Sequence, residues 1–377
     1  MGIRTNRSKL YAMFFLLLLF SILKSPGYAK AAVTQSLNLN QTYTVKLENM
    51  TDSRLYEFHV PQAGNFQIHL KNTNPVGTQQ ISAQLYDSNN QPVTDSWKGS
   101  NIEMPNYSTK ENRTFYLKLE GHLGIARTSF DLTVNFEPAD DWEMEDNNTP
   151  ANATPVLAGK PVYGAINDLN DDCDYFQFHL DSAKNVSVTF GPKEVSGEKH
   201  LWKVFLLDSD NHSIEIYRDS VTKTYRCRLK KGTYYIKAED FLDSKNIAYS
   251  LSFEESDLKL EPPSISSLKA TGHNRLLHKY VELNDIKIKN AGTAAGYTVK
   301  VAKKKNMKGN LVTENIDFDR ENSKKKVSLK AKLEVRKAYY LQARSYLLTP
   351  FQEKIYGKYG AVKEKKLKDS LYKQLKK

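Results

Sequence analysis

Two short acidic segments hold the side chains best suited to chemistry in this chain. They are Asp141-Trp-Glu-Met-Glu-Asp-Asn-Asn-Thr-Pro150 and Gly164-Ala-Ile-Asn-Asp-Leu-Asn-Asp-Asp-Cys-Asp174. Each gathers carboxylates and side-chain amides, which are hard oxygen donors. Calcium takes about 6–8 such oxygens in a flexible shell, so the pattern predicts a calcium site. The reason is Coulombic. Carboxylates within about 4–6 Å of one another repel, and they either take up protons or hold a cation. The competing reading is a solvated acidic loop.

The familiar catalytic patterns are missing. There is no His-Glu-x-x-His, no Gly-x-Ser-x-Gly and no glycine-rich phosphate loop. The eight histidines are scattered, and His59 and His179 fall on the polar side of two similar runs. No carboxylate pair stands out as glycosidase-like, although such pairs need not be close in sequence. The chain is therefore expected to be non-catalytic, with an undetected hydrolase as an alternative. Cys173 and Cys227 lack a CxxC partner, and the sequence leaves open a disulfide or two buried thiols.

The elements that must carry these residues read as strands. Tyr56, Phe58 and Val60 alternate with Glu57 and His59, and Phe176, Phe178 and Leu180 alternate with Gln177 and His179. Period-2 alternation puts the apolar residues on one face of a strand. Asp87-Ser-Asn-Asn90, Asp208-Ser-Asp-Asn211 and Lys231-Gly232 supply turns. These paired features recur about 120 residues apart. Leu55 to Val60 answers Tyr175 to Leu180, Leu85 to Asn89 answers Leu206 to Asp210, Thr114 to Lys118 answers Thr233 to Lys237, and Ser129 to Thr133 answers Ala248 to Ser252. A constant register points to two copies of one unit. The expected fold class is all-β, built from antiparallel sandwiches.

Residues 1–31 read as a secretory signal peptide, with Arg4, Arg7 and Lys9 before an apolar run from Leu10 to Leu23 and an Ala29-Lys-Ala31 cleavage site. The protein is then expected to be secreted, extracellular or associated with a cell wall, with no transmembrane segment after cleavage. The net charge of +12 is unevenly spread. Residues 258–377 carry 29 basic and 11 acidic side chains, or +18, whereas residues 32–257 sum to −11. Lysine dominates the basic part, which suits diffuse attraction to an anionic polymer. The clusters Lys303-Lys304-Lys305 and Lys324-Lys325-Lys326 are the candidate contacts, together with a Lys-rich tail over 363–377. Nucleic acid is not an expected partner.

The middle unit resembles the bacterial pre-peptidase C-terminal domain, a family that includes the collagen-binding domains of clostridial collagenases. The resemblance rests on Glu143-Met-Glu-Asp-Asn-Asn148, Ala151 to Pro155, Val162-Tyr-Gly164, Asp171, Asp174 and Phe176-Gln-Phe178. It implies a jelly-roll-like β-sandwich over 139–256, with 32–138 a diverged copy. It also implies a calcium ion held by Glu143, Glu145, Asn147, Asn148, the Gly164 carbonyl, Asp171 and Asp174. The first copy has Arg54 where the second has Asp174, so no metal is expected there. After a Pro-Pro linker over 257–264, residues 265–362 resemble a fibronectin type III-like module of Gram-positive surface proteins. The residues that carry this are Pro263-Ser-Ile265, Ala295 to Val299, Lys303 to Gly309, Tyr339 to Tyr346 and Tyr356 to Tyr359, while Leu283 or Ile286 falls where the usual core Trp would be. Together these resemblances imply an adhesion protein of a Gram-positive bacterium that attaches to an extracellular polymer: a cell-wall polyanion, a polysaccharide or a collagen-like protein. A second possibility is an accessory or inhibitor of a separate secreted peptidase.

Overall fold

Strand alternation decides the architecture. In the computed structural model, residues 34–371 are described, except 76–77, 111, 168–171, 195–200, 243–246, 276–277, 290–293, 318–326, 332, 334–336 and 369. The expected signal peptide over 1–31, Asp171, Lys324-Lys325-Lys326 and residues 372–377 lie outside the described residues. The chain divides into two compact units, and the division falls between Asp140 and Asp141. No described helix is long and apolar enough to cross a membrane.

The first unit contains β1 (Gln35–Leu37), β2 (Thr42–Asn49), β3 (Ser53–Val60), β4 (Gly64–Asn72), β5 (Ile81–Tyr86), β6 (Trp97–Gly99), β7 (Asn101–Glu103), β8 (Tyr107–Thr109), β9 (Arg113–Gly121) and β10 (Ala126–Pro138). One sheet runs β1-β3-β9-β5-β6 and the other β2-β10-β4-β7, with β8 also on β4. Phe58, Phe115 and Leu117 of the first sheet meet Phe66, Ile68, Phe130 and Leu132 of the second in one core. Phe58 and Phe66 touch edge to face, with ring centroids 5.1 Å apart.

The second sandwich repeats this plan. Its strands are β11 (Thr154–Pro155), β12 (Val162–Gly164), β13 (Cys173–Leu180), β14 (Lys184–Pro192), β15 (Leu201–Leu207), β16 (Ser213–Asp219), β17 (Lys223–Leu229), β18 (Gly232–Leu242) and β19 (Tyr249–Asp257). The sheets run β11-β13-β18-β15-β16 and β12-β19-β14-β17, the orders of the first copy. Phe178 stacks on Phe253 across the core at 4.3 Å. The likeness extends to side chains. His59 Nδ1 lies 3.2 Å from Thr114 Oγ1, and His179 Nδ1 lies 3.0 Å from Thr233 Oγ1. Both histidines are exposed. One expectation is corrected. The sandwiches are not purely antiparallel, because β1–β3 and β11–β13 pair in parallel. β2 and β12, each in the opposite sheet, lie between the partners in the chain and supply the crossover that a parallel pair needs and a hairpin cannot give.

The third sandwich also belongs to the second unit. It comprises β20 (Ser264–Arg275), β21 (His278–Lys289), β22 (Gly296–Ala302), β23 (Asn310–Asp317), β24 (Val327–Ala331), β25 (Ala338–Leu348), β26 (Lys354–Tyr356) and β27 (Lys363–Lys366). A β20-β21-β24 sheet faces a β23-β22-β25-β26 sheet, with β27 also on β25. Val281, Leu283 and Ile286 pack there against Val299, Val301, Leu341 and Ala343. The Lys-rich tail over 363–377 begins as a strand. Lys363–Lys366 forms β27, and Leu367 and Leu371 are buried in this core. A turn after β25 reaches the second sandwich. Phe351 stacks on Tyr234, and Lys230 Nζ pairs with Glu353 Oε1 at 2.8 Å.

Candidate metal centre

The segment before β11 is fixed to β12 by backbone hydrogen bonds. Glu143 N donates to Tyr163 O at 2.8 Å, and Tyr163 N donates to Asp141 O at 2.7 Å. Trp142 is buried beside Tyr163, which anchors the segment. This sends Glu143 and Glu145 inward, where β13 delivers Asp174 and β19 delivers Tyr249.

Glu143, Glu145 and Asp174 are all buried, and one carboxylate oxygen from each lies within 4.8 Å of the others. Glu143 Oε1 accepts from Ala165 N at 2.7 Å. Its Oε2 accepts from Tyr249 Oη at 3.1 Å and from Asn147 Nδ2 at 3.3 Å. Tyr249 Oη also lies 2.5 Å from Asp174 Oδ2. Thr154 Oγ1 receives Met144 N at 2.9 Å and Asn147 Nδ2 at 3.3 Å, and Tyr175 N donates to Asn147 O at 3.0 Å.

Three carboxyls in one dry space cannot all stay ionised without compensation. Burial pushes Glu143, Glu145 and Asp174 well above the usual carboxylate range, and neighbouring acids push them further. The same burial and the adjacent carboxylates raise the Tyr249 hydroxyl, which therefore stays a donor. It has one proton for two carboxylates. Asp174 Oδ1, Asn147 Oδ1 and Asn148 Oδ1 are buried with no hydrogen-bond partner. Native interiors rarely leave such oxygens unpaired. An all-oxygen donor set with spare lone pairs fits a calcium ion, and Glu143, Glu145, Asn147, Asn148 and Asp174 are the residues that would hold it.

Gly164, expected to offer its carbonyl, also has a steric role. A Cβ at Gly164 would lie 2.4 Å from Tyr249 Oη and 2.6 Å from Glu143 Oε2. The glycine is needed because two site side chains occupy the room a side chain would take. Sequence reasoning missed Tyr249, Thr154 and Asp172, whose charge raises Glu145 and Asp174. Tyr249 had a signal. Tyr249 pairs across the ladder with Gly164, and the corresponding first-copy pair is Phe130 with Val45. The hydroxyl and the glycine occur only in the copy that has the acids.

The first copy has apolar groups where the second has polar ones, and Arg54 instead forms a two-pronged pair with Asp52 at 2.6 and 2.9 Å. A second acidic group, Asp208, Asp210 and His212, sits on an exposed turn of the second copy. There Asp208 Oδ1 caps the amides of Asp210 and His212 at 3.0 and 2.9 Å, so turn geometry accounts for it. Lys303, Lys304 and Lys305 are exposed on the turn between β22 and β23. Cys173 and Cys227 are both free thiols.

No family profile and no curated protein matches this chain. Among solved structures, the pre-peptidase C-terminal domain of a Bacillus anthracis collagenase is similar at 20% identity, over 29% of this chain and 100% of that one, with a TM-score of 0.24. Tripeptidyl peptidase 2 is similar at 11% identity, over 90% of this chain and 32% of that one, with a TM-score of 0.25. The N-terminal CBM22-1-CBM22-2 tandem domain of Paenibacillus barcinonensis Xyn10C is similar at 9% identity, over 54% of this chain and 82% of that one, with a TM-score of 0.18.

Proposed function

We propose that this chain is a secreted, non-catalytic, modular binding protein whose second sandwich is stiffened by calcium and which attaches to an extracellular or cell-wall polymer. One observation carries the calcium part: the buried Glu143, Glu145 and Asp174 carboxylates with the partnerless Asp174 Oδ1 and Asn147 Oδ1 among them. The ion would neutralise the trio and tie the segment before β11 to β13. Pre-peptidase C-terminal-like character is supported by the acidic motifs, and fibronectin type III-like character by the opposed β20-β21-β24 and β23-β22-β25-β26 sheets. Attachment is supported by the surplus of basic side chains over 258–377.

The test uses the full chain. An ion that binds only the native state stabilises it by about 2.7 kcal/mol at a hundredfold excess over its Kd. That shifts a melting midpoint by roughly 5–10 °C for a domain of this size class. Millimolar calcium should raise the midpoint of the transition that contains the second sandwich, and Glu145→Gln with Asp174→Asn should erase the rise. Sedimentation with peptidoglycan, teichoic acid, chitin and collagen should retain the protein on at least one. An unmoved midpoint removes the ion, and retention on none removes the adhesive role.

A further inference from the structure

The outward side of the third sandwich carries a cation with no counter-charge among the described residues. Arg344 lies on β25 opposite Thr298 of β22. Its guanidinium carbon is 3.8 Å from the Tyr356 ring centroid and 4.9 Å from that of Tyr359. Among the described residues it has no ion pair, and its Nε is buried with no acceptor for its proton. The two rings are held in turn. Tyr356 pairs with Tyr346 across the ladder, and beyond it Gly357 N donates to Ser345 O at 2.9 Å and Gly360 N donates to Ala343 O at 2.8 Å. Residues 356–360 therefore run alongside β25 and bring both rings to Arg344. Lys354 adds a second cation, 4.4 Å above the Tyr346 ring.

A guanidinium is a planar fork whose edge matches a carboxylate or phosphate with two parallel hydrogen bonds. Stacking on rings orients that fork before any ligand arrives and lowers the ordering cost of binding. Tyr356 is 39% exposed beside it, so a flat apolar surface adjoins the charge. A sugar ring that bears an oxyanion presents both complements, a C–H face for the tyrosine and an anion for the fork. An acidic peptide presents the anion without a flat face.

We propose that Arg344, flanked by Tyr356 and Tyr359, is a binding site for an anionic glycan unit, a sugar bearing a carboxylate or a phosphate. The inference rests on the reading that this chain attaches to an extracellular polymer, and it replaces diffuse attraction by lysines with one oriented contact.

The full chain is titrated calorimetrically with a uronic-acid tetrasaccharide, a sugar-phosphate oligomer, a neutral tetrasaccharide and a tetra-aspartate peptide. Binding to one or both anionic glycans, and weaker binding to the other two, is expected, and the preferred probe identifies the oxyanion. Arg344→Lys keeps the charge but loses the fork, and should weaken binding by about tenfold or more. Tyr356→Leu should weaken it by a similar factor through the lost ring. Replacing Lys303, Lys304 and Lys305 by Ser should change it by less than about threefold, because exposed lysines act as a screened field. Melting curves confirm that the variants fold. The assignment is overturned by wild-type protein that ignores both anionic glycans, by tighter binding of the peptide, or by Arg344→Lys behaving as wild type. If wild type and Arg344→Lys sediment equally with a cell-wall polymer, adhesion stands and this site does not.

Discussion

The Tyr249 hydroxyl lies 2.5 Å from Asp174 Oδ2 and 3.1 Å from Glu143 Oε2, so a single proton serves two buried carboxylates. Removing it should expose what the ion does. Tyr249→Phe leaves both oxygens short of a donor, at about 1–3 kcal/mol. In chelator the variant should melt earlier than wild type. In calcium the gap should shrink, because the cation satisfies the same oxygens. Equal losses under both conditions would mean that no ion reaches them.

Gly164 and Tyr249 should behave as a coupled pair. Gly164→Val alone drives a side chain into Tyr249 Oη and Glu143 Oε2. Overpacking of this kind costs typically 1–3 kcal/mol. Adding Tyr249→Phe recreates the Val45 and Phe130 pair of the first copy, so part of the loss should return. The double variant should be more stable than the sum of the single losses by at least about 0.5 kcal/mol. Strict additivity in urea melts would show that the two positions do not share space.

The buried trio also sets a pH dependence. Each of its carboxyls has a folded-state pKa above its unfolded value of about 4, so the native fold holds those protons more tightly. Without metal, their contribution favours folding most at and below the unfolded value. It falls as pH rises through the raised folded values. Asp52 and Asp208 have lowered pKa values and act in the opposite direction, losing stabilisation on acidification. The useful quantity is therefore the melting difference between wild type and a Glu143→Gln, Glu145→Gln variant in chelator. That difference should move against wild type as pH rises from 4 to 8. Calcium should reverse the slope, since protons then compete with the ion. A flat difference in both media would contradict the buried, mutually repelling arrangement.

The thiols should be inert. Burial pushes Cys173 up to about 11 and Cys227 up to about 12. At pH 8 only about one in a thousand and one in ten thousand, respectively, would be thiolate. Alkylation of the native protein should be at least a hundredfold slower than in guanidinium, and reduction should not change the mass. A two-dalton gain on reduction would reveal a disulfide.

Much of this was legible because local pattern and global fold agree. Tyr56-Glu57-Phe58-His59-Val60 alternates, and β3 buries the alternate set. The 120-residue echo became identical sheet orders. The acids of 143–145 and Asp174 announced a cluster that the fold then closed. Tyr249 stayed hidden because it is 75 residues from Asp174, and only the pairing of β12 with β19 unites them. β27 stayed hidden for another reason. Lys-Glu-Lys-Lys looks solvated, yet one half of β25 has an open edge that accepts it, and Leu367 and Leu371 pin it from the core side. Hydrogen-bonding demand at an unpaired edge overrides the polarity of the strand that fills it.

The two sandwiches share one strand order, yet among the described residues only the second buries an acid cluster, so sheet order and site chemistry are specified separately. The alternating aromatics of β3 and β13 bury the same face in both sandwiches, whether or not the acids are present. Val45, Phe130 and Arg54 stand in the first copy where Gly164, Tyr249 and Asp174 stand in the second. A change at any one of Gly164, Tyr249 and Asp174 would therefore leave the other two shaped around a partner that is gone.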